Sequence, residues 1–448
     1  MHPRRRLPRT TLALALVTCL FAGPGAGADL SFDQARVALI RGSDRLKAAE
    51  ANVDRQQFEA RAVETLGFPE LTLNATQVLG RKTFDVEVPR LGGLSYDYNF
   101  DGPRSSLLMN WPIYTGGKVT AAQMLRAAEV GGARAELHEA EERLDFELVA
   151  RYFGLGLAAT VERLRGTQLE QAERQLARAR RFEAQGQVSA VERLSAQVAR
   201  DEAARDGIKA RRERESAEAS LARLLRQTGT LRPTTPLFVL TSPLEPLTAW
   251  LRDAEARNPL LAVVKARGQA AEQGIVAAQS EYLPQVFAFG QYNFIKTYLT
   301  PIEPDWVAGV GVNIKLFSRE DRASKVGAAR AQKTQVDALE AEALNGVQAA
   351  VEAAWLRVAQ AREQFLLYDS AVELGRENLR LRERAFEEGQ SVTIDVNEAR
   401  NSLMRAETGR AQVAFEFVVS LAALLEASGQ IGRFPEFIAR ADVTLKPW

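Results

Sequence analysis

Two stretches of this chain carry the same landmarks in the same order, 203 residues apart. Asn110, Ile113 and Tyr114 precede one long helical stretch, and Asn313, Leu316 and Phe317 precede another. The same step carries Gly186 and Gln187 onto Gly389 and Gln390, Glu192 onto Asp395, and Ala196 onto Ala399. Upstream the step is 215: Leu46 pairs with Leu261, Glu50 with Lys265 and Pro69 with Pro284. The difference is a loop length, and it falls between Pro69 and Asn110, where RLGGLSYDYNFDG has no counterpart. A repeat this long is a duplicated structural unit and not a solenoid, whose periods run roughly 20 to 50 residues.

Each unit follows one plan. An alanine-rich helix opens at Ser31, whose sequence Ser31-Phe32-Asp33-Gln34 suits a helix cap, and ends near Gly67 and Pro69. Leu71, Leu73 and Ala75 then alternate with Thr72, Asn74 and Thr76, the period of a strand with one polar face. A loop over 81–104 leads to a second alternating run, Leu107, Met109, Trp111 and Ile113. In the second unit Val310, Val312, Ile314 and Leu316 match these four at the 203 step, with Gly309, Gly311, Asn313 and Lys315 on the opposite face. The first unit spans 29–230, with strands near 70–80 and 105–114, a long helix over 118–185 and a return helix over 189–227. A proline- and threonine-rich linker occupies 231–246. The second unit spans 247–430, with strands near 285–296 and 306–317, a long helix over 319–388 and a return helix over 393–428; a tail covers 431–448.

The first long helix runs 68 residues without proline, about 100 Å at 1.5 Å per residue. A glycine ends each long helix, and Ser189-Ala190-Val191-Glu192 suits a capping box that opens the return helix. The return helix and the next helix along the chain together match the length of one long helix. Stacked end to end they would flank it in a rod, with strands at one end, Gly186 and Gly389 at the other, and the linker partway down.

The first 28 residues have the form of a signal peptide: a basic MHPRRRLPRTT, an apolar run from Leu12 to Gly23, then Ala26-Gly27-Ala28. Its loss removes four arginines and takes the formal charge from +1 to −3. Cys19, the single cysteine, lies inside it, so the mature chain has no disulfide or thiol ligand; lipidation at Cys19 is the competing reading. Nothing suggests a nucleic-acid partner. The longest later apolar run, near Phe417 to Leu425, falls short of the roughly 20 residues that span a bilayer as a helix. Strands remain a way across a membrane. Four strands cannot close alone, since membrane barrels need about eight or more, so several chains must pool theirs. Trp111, Trp306, Tyr96, Tyr98, Tyr292 and Tyr298, in or beside the strands, suit the aromatic girdles of such a barrel.

Catalytic and metal chemistry has little to work with. The one histidine of the mature chain, His138, lies mid-helix among glutamates, and neither a P-loop nor a Gly-x-Ser-x-Gly elbow occurs. No cofactor is expected. The turns hold more interest. Glu192, Asp395 and Glu398 fall in the first turns of the return helices, where carboxylates complement the helix dipole. Closed around an axis, the same acids would form a ring that favours cations. Phe386, three residues before Gly389, would line that constriction or serve as a packing aromatic.

The opening LSFDQARVALIRGSDRLKAAEA, its echo LRDAEARNPLLAVVKA, the passages MNWPIYTGGKVTAA and VNIKLFSREDRAS, and the tips FEAQGQVSAVERLSA and FEEGQSVTIDVNEAR resemble the TolC-like outer membrane efflux proteins over essentially the whole mature length. The resemblance implies a mainly α fold with a β membrane part, four strands per chain in a shared 12-stranded trimeric barrel that continues into an α-helical coiled-coil barrel. It further implies a homotrimer in the outer membrane lipid of a Gram-negative bacterium, extending into the periplasm. A periplasmic adaptor and an inner-membrane pump would be its partners in a tripartite efflux pump or type I secretion system. On that pattern Asp395, Glu398, Glu192 and Phe386 form the periplasmic gate, while Gly186, Gln187, Gly389 and Gln390 mark the adaptor-contact turns. Ser391 replaces a basic residue that the best-known member carries near this turn. A periplasmic adaptor, or a coiled-coil protein without a pore, is the alternative; an adaptor carries one hairpin flanked by compact β domains, whereas this chain has two.

Overall fold

The computed structural model of the chain describes residues 28–88, 92–99, 101–296, 299, 303–388 and 390–445. Residues 1–27 of the expected signal peptide, with Cys19, lie outside the described residues together with Tyr298 and Gly389, and so does the side chain of Tyr98. In chain order the elements are β1 (Ala28–Leu30), α1 (Phe32–Gly42), α2 (Asp44–Glu64), β2 (Glu70–Val78), β3 (Arg81–Val88), β4 (Gly92–Asn99), β5 (Gly102–Tyr114) and α3 (Lys118–Ala184). Then come α4 (Ala190–Leu225), β6 (Leu231–Pro233), β7 (Leu237–Val239), α5 (Leu247–Arg257) and α6 (Pro259–Gln279). The chain closes with β8 (Gln285–Asn293), β9 (Trp306–Asn313), α7 (Arg322–Glu387), α8 (Thr393–Ala427), α9 (Phe434–Ala439) and β10 (Val443–Leu445).

The long helices α3 and α7, 67 and 66 residues, hold no proline to interrupt their hydrogen-bond ladders. α7 starts at Arg322 and not at 319 because Asp321 caps it, its carboxylate accepting from the Ala323 and Ser324 amides. Along α7 the buried set Val347, Val351, Ala354, Val358, Ala361 and Phe365 alternates steps of four and three. On α4 the buried Ala196, Ala203 and Ala210 recur every seventh residue. Both are coiled-coil seams, and the alanines let helix axes approach closely. Ala121 and Ala128 bury on α3 in the same way.

The short helices do stack end to end, but in a different pairing from the one the chain order suggested. α4 abuts α2, with an ion pair from Arg226 to Asp44 across the joint. α8 abuts α6, whose cap Asn258 donates Nδ2 to the Ala427 carbonyl at 2.8 Å. The reason is lateral: α2 and α4 flank one side of α3, whereas α6 packs on its other side beside α7. Arg226 and Gly429, related by the 203 step, both take left-handed backbone, at φ 53° and 67°. At Gly429 a Cβ would stand 2.5 Å from the Arg257 carbonyl oxygen, so this joint requires glycine.

β2, β5, β8 and β9 form one antiparallel four-stranded sheet in that order. Register places Leu71 opposite Met109, Leu73 opposite Leu107, Trp111 opposite Ala288, and Ala288 opposite Val310. One face is therefore apolar from edge to edge, and Leu73, Val310 and Val312 on it are more than 60% exposed. On the other face Phe287 and Phe289 lie opposite Gly311 and Gly309, where a Cβ would meet their rings at 2.5 and 2.9 Å. Cross-strand aromatics cover glycines that have no side chain of their own to pack. β9 stops at Asn313, and Leu316 and Phe317 beyond it are about nine-tenths exposed. The segment 81–104, expected as a loop, instead carries the antiparallel hairpin β3–β4, held partly by Arg81, Thr83 and Asp97. Among the described residues, β2 and β9 each pair on one side only.

The main core forms a belt where the helices join. Phe32, Tyr152, Phe153, Phe238, Phe417 and Phe434 are almost fully buried, their ring centroids 5.2 to 6.3 Å apart. The Tyr152 hydroxyl donates to the Leu30 carbonyl at 2.7 Å and accepts from the Thr235 amide at 3.0 Å, tying β1 and the linker to α3. β1 pairs with β6, and β10 of the tail pairs with β7. α8 alone among the described helices is long and apolar enough to cross a membrane, but 56% of that window is buried against its neighbours.

Candidate gate at the hairpin tips

The two tips share a backbone design. In the first, Gly186 at φ 70° ends α3, and the Gln187 amide donates back to the Phe182 carbonyl at 2.8 Å. In the second, the Gln390 amide donates to the Ala385 carbonyl at the same distance, at positions 203 residues on. This closure satisfies carbonyls that a helix end would otherwise leave open. Gly186, Gln187 and Gln390 are exposed at the turns. The return helices then begin differently. Ser189 accepts from the Glu192 amide at 3.4 Å, the hydroxyl half of the expected capping box, whereas Val392 offers no side-chain cap.

Side chains set the tips apart. Across the first, Arg193 on α4 meets Glu183 on α3 at 2.8 Å. The same two positions in the second hairpin are Val396 and Phe386, so an ion pair gives way to apolar side chains; Val396 is 2% exposed and Phe386 half-buried. The second tip has its own charge pairs. Arg400 on α8 makes two hydrogen bonds to the Glu383 carboxylate on α7, at 3.2 and 2.5 Å. Asp395 Oδ2 accepts from Ser391 Oγ at 2.9 Å and from Arg382 Nη1 at 3.4 Å. Glu398, one turn further, is exposed, and Glu192 half-buried; neither makes a salt bridge among the described residues.

Asp395, Glu398 and Phe386 thus share the second tip, and Glu192 lies in the first. Sequence reading missed the arginines. Arg193, Arg382 and Arg400 each sit across a turn from an acid on the other helix of the hairpin, and opposite charges flanking one turn are the signal available for such pairs. Above the tips, α3, α4 and α8 enclose a polar cleft of about 240 Å³ lined by Arg165, Glu202, Asp206, Arg400 and Asn401. Among the described residues no group of three or more metal-type side chains converges.

The sequence profile of the outer membrane efflux protein family matches residues 36–226 and 250–430, and the chain belongs to that family. The two matched stretches fall in the two halves of the duplication. The fold is similar to that of the outer membrane protein VceC of Vibrio cholerae, at 16% identity over 89% of this chain and 96% of that one, with TM-score 0.75. It is also similar to the outer-membrane channel OprN, at 18% identity over 89% of each chain, TM-score 0.74. The MtrE outer membrane channel of Neisseria gonorrhoeae, solved in its open state, matches at 18% identity over 89% of each chain, TM-score 0.73. No curated protein sequence matches. The chain is accordingly an outer membrane efflux protein of a Gram-negative bacterium, extending into the periplasm, and belongs to a family of transporters.

Proposed function

We propose that three copies of this chain form the exit duct of a tripartite efflux pump or type I secretion system. The observation that carries this reading is the sheet with two open edges. Unpaired backbone groups along β2 and β9 cannot face lipid, where each would lose several kcal/mol of hydrogen bonding, about the cost of leaving any buried amide unsatisfied. Pairing β9 of one copy with β2 of the next removes both edges, and three copies pool 12 strands. The apolar face then meets lipid, with Trp111, Trp306 and Tyr292 near its rims.

The helices repeat the same order from edge to edge. α7 is the outer helix on one side, and α2 over α4 is the outer pair on the other. α7 exposes Leu367, Leu374 and Leu381 at steps of seven, and α4 exposes Val191, Leu194 and Val198. These stripes suit coiled-coil contact between neighbouring copies. In such a tunnel the six hairpin tips converge. Asp395, Glu398, Glu192 and Phe386 form the constriction, and the turns at Gly186, Gln187, Gly389 and Gln390 meet a periplasmic adaptor that links the duct to an inner-membrane pump.

The gate assignment is tested in planar bilayers with D395A/E398A. Conductance or cation preference should change; if both equal those of the parent channel, these acids do not line the constriction.

A further inference from the structure

The two hairpins place an acid at the same point and differ in what faces it. Asp395 corresponds to Glu192 at the 203 step, but Arg382 corresponds to Ala179 and Ser391 to Val188. Among the described residues, only the second hairpin therefore supplies a cation and a hydroxyl to its acid. Both act on one oxygen: Ser391 Oγ donates to Asp395 Oδ2 at 2.9 Å, and Arg382 Nη1 lies 3.4 Å from that same atom. Arg382 comes from α7 and Asp395 from α8, so the pair spans the hairpin. Glu398 stands three residues on with no salt bridge among the described residues.

We propose that Arg382 is a specificity-determining residue of the passage, holding Asp395 as a neutralised pair so that, of the two gate acids of the second tip, Glu398 carries the free negative charge. This rests on the gate reading of Asp395 and Glu398. A ring of carboxylates selects by its net local charge, and solution screens charges beyond about 8 Å, so a guanidinium in contact with the acid cancels it where more distant arginines do not. The two side chains are 50% and 36% exposed. A pair that wet is weak and exchanges readily. Parting α8 from α7 would release Asp395 as a second free carboxylate, coupling ion preference to opening of the hairpin.

The test is reversal potential in a potassium chloride gradient, with the full-length protein in planar bilayers and assembly checked by particle mass. R382Q should raise the cation-to-anion permeability ratio by about two-fold or more, because it uncovers Asp395. R382K should keep the parent ratio. E398Q and D395N should each lower it, the second by leaving Arg382 unpaired, and R382Q/D395N should return to the parent value. If R382Q leaves the ratio unchanged while E398Q lowers it, the neutralised pair is wrong and the gate reading survives. If R382Q raises the ratio and the double variant stays raised, the effect does not pass through Asp395, and the proposal is overturned. If neither D395N nor E398Q moves the ratio, the gate reading fails, and the proposal fails with it.

Discussion

The belt and the tips are built from the same long helices, yet they hold those helices by different means. At the belt, six aromatic rings, two short strand pairs and the tail lock α3 and α8 into one core. At the tips, an alanine seam in the first hairpin, Val396, Ala399 and Met404 in the second, and a few partly exposed ion pairs join the helices, and among the described residues the separate cluster of buried apolar side chains is the small set Leu176, Ala179 and Ala196. Aromatic burial is worth several times an exposed ion pair. The middle of the rod is thus fixed by packing, and the tip end can part at small cost. On the proposed reading, a duct that must stay assembled while its entrance opens needs that division.

The largest test of this contrast is Phe153→Ala. The ring packs on Phe32, Tyr152, Phe238 and Phe434 at 1% exposure. Its loss should destabilise the assembled protein by about 3–5 kcal/mol, seen as a lower denaturation midpoint in detergent. A shift as small as that of a tip variant would abolish the distinction. Gly429→Ala comes next: with φ at 67° and a carbonyl 2.5 Å from the new Cβ, about 1–3 kcal/mol should be lost. Arg226→Ala, at the equivalent joint, should cost less by the same measurement, because that position already tolerates a Cβ.

A pH effect belongs to the belt as well. Glu142 is buried on α3 and accepts from the Ile431 amide at 3.0 Å. Burial pushes its pKa up to about 7; the Ile431 bond and His138 oppose this, while Asp145 and Glu426 add to it. Arg36 pairs with Asp145, and Glu139, Arg143 and Glu426 line a cavity beside Glu142. The folded value lies above the ordinary 4.5, so the stabilisation is full below that value and is lost as pH rises through about 7. Glu142→Gln should match the parent at low pH and exceed it above pH 7 in thermal melts; equal pH profiles would remove Glu142 as the cause. The smallest effect is expected at the first tip. A double-mutant cycle on Glu183 and Arg193 should give a coupling below about 1 kcal/mol. A value near that of a core contact would make this tip a rigid element.

The duplication, the long helices and the amphipathic strands were legible because each is a local period or a repeated spacing. The β3–β4 hairpin was missed, because the glycine-rich sequence beside the alternation Phe84, Val86 and Val88 favoured a loop. Stacking of α4 on α2 was not legible, because it depends on which flank of α3 each helix takes. The acids of the tips could be read from their place after the turns. The pairing of Arg382 with Asp395, and of Arg193 with Glu183, depends on the rotation of two helices about each other, which no single helix period reveals.

The central claim is that one chain is an open segment completed only by its copies. Light scattering of the detergent-solubilised protein, corrected for bound detergent, measures it directly. The account predicts particles of three chains that form ion-conducting pores in planar bilayers; particles of one chain that conduct equally well would contradict it.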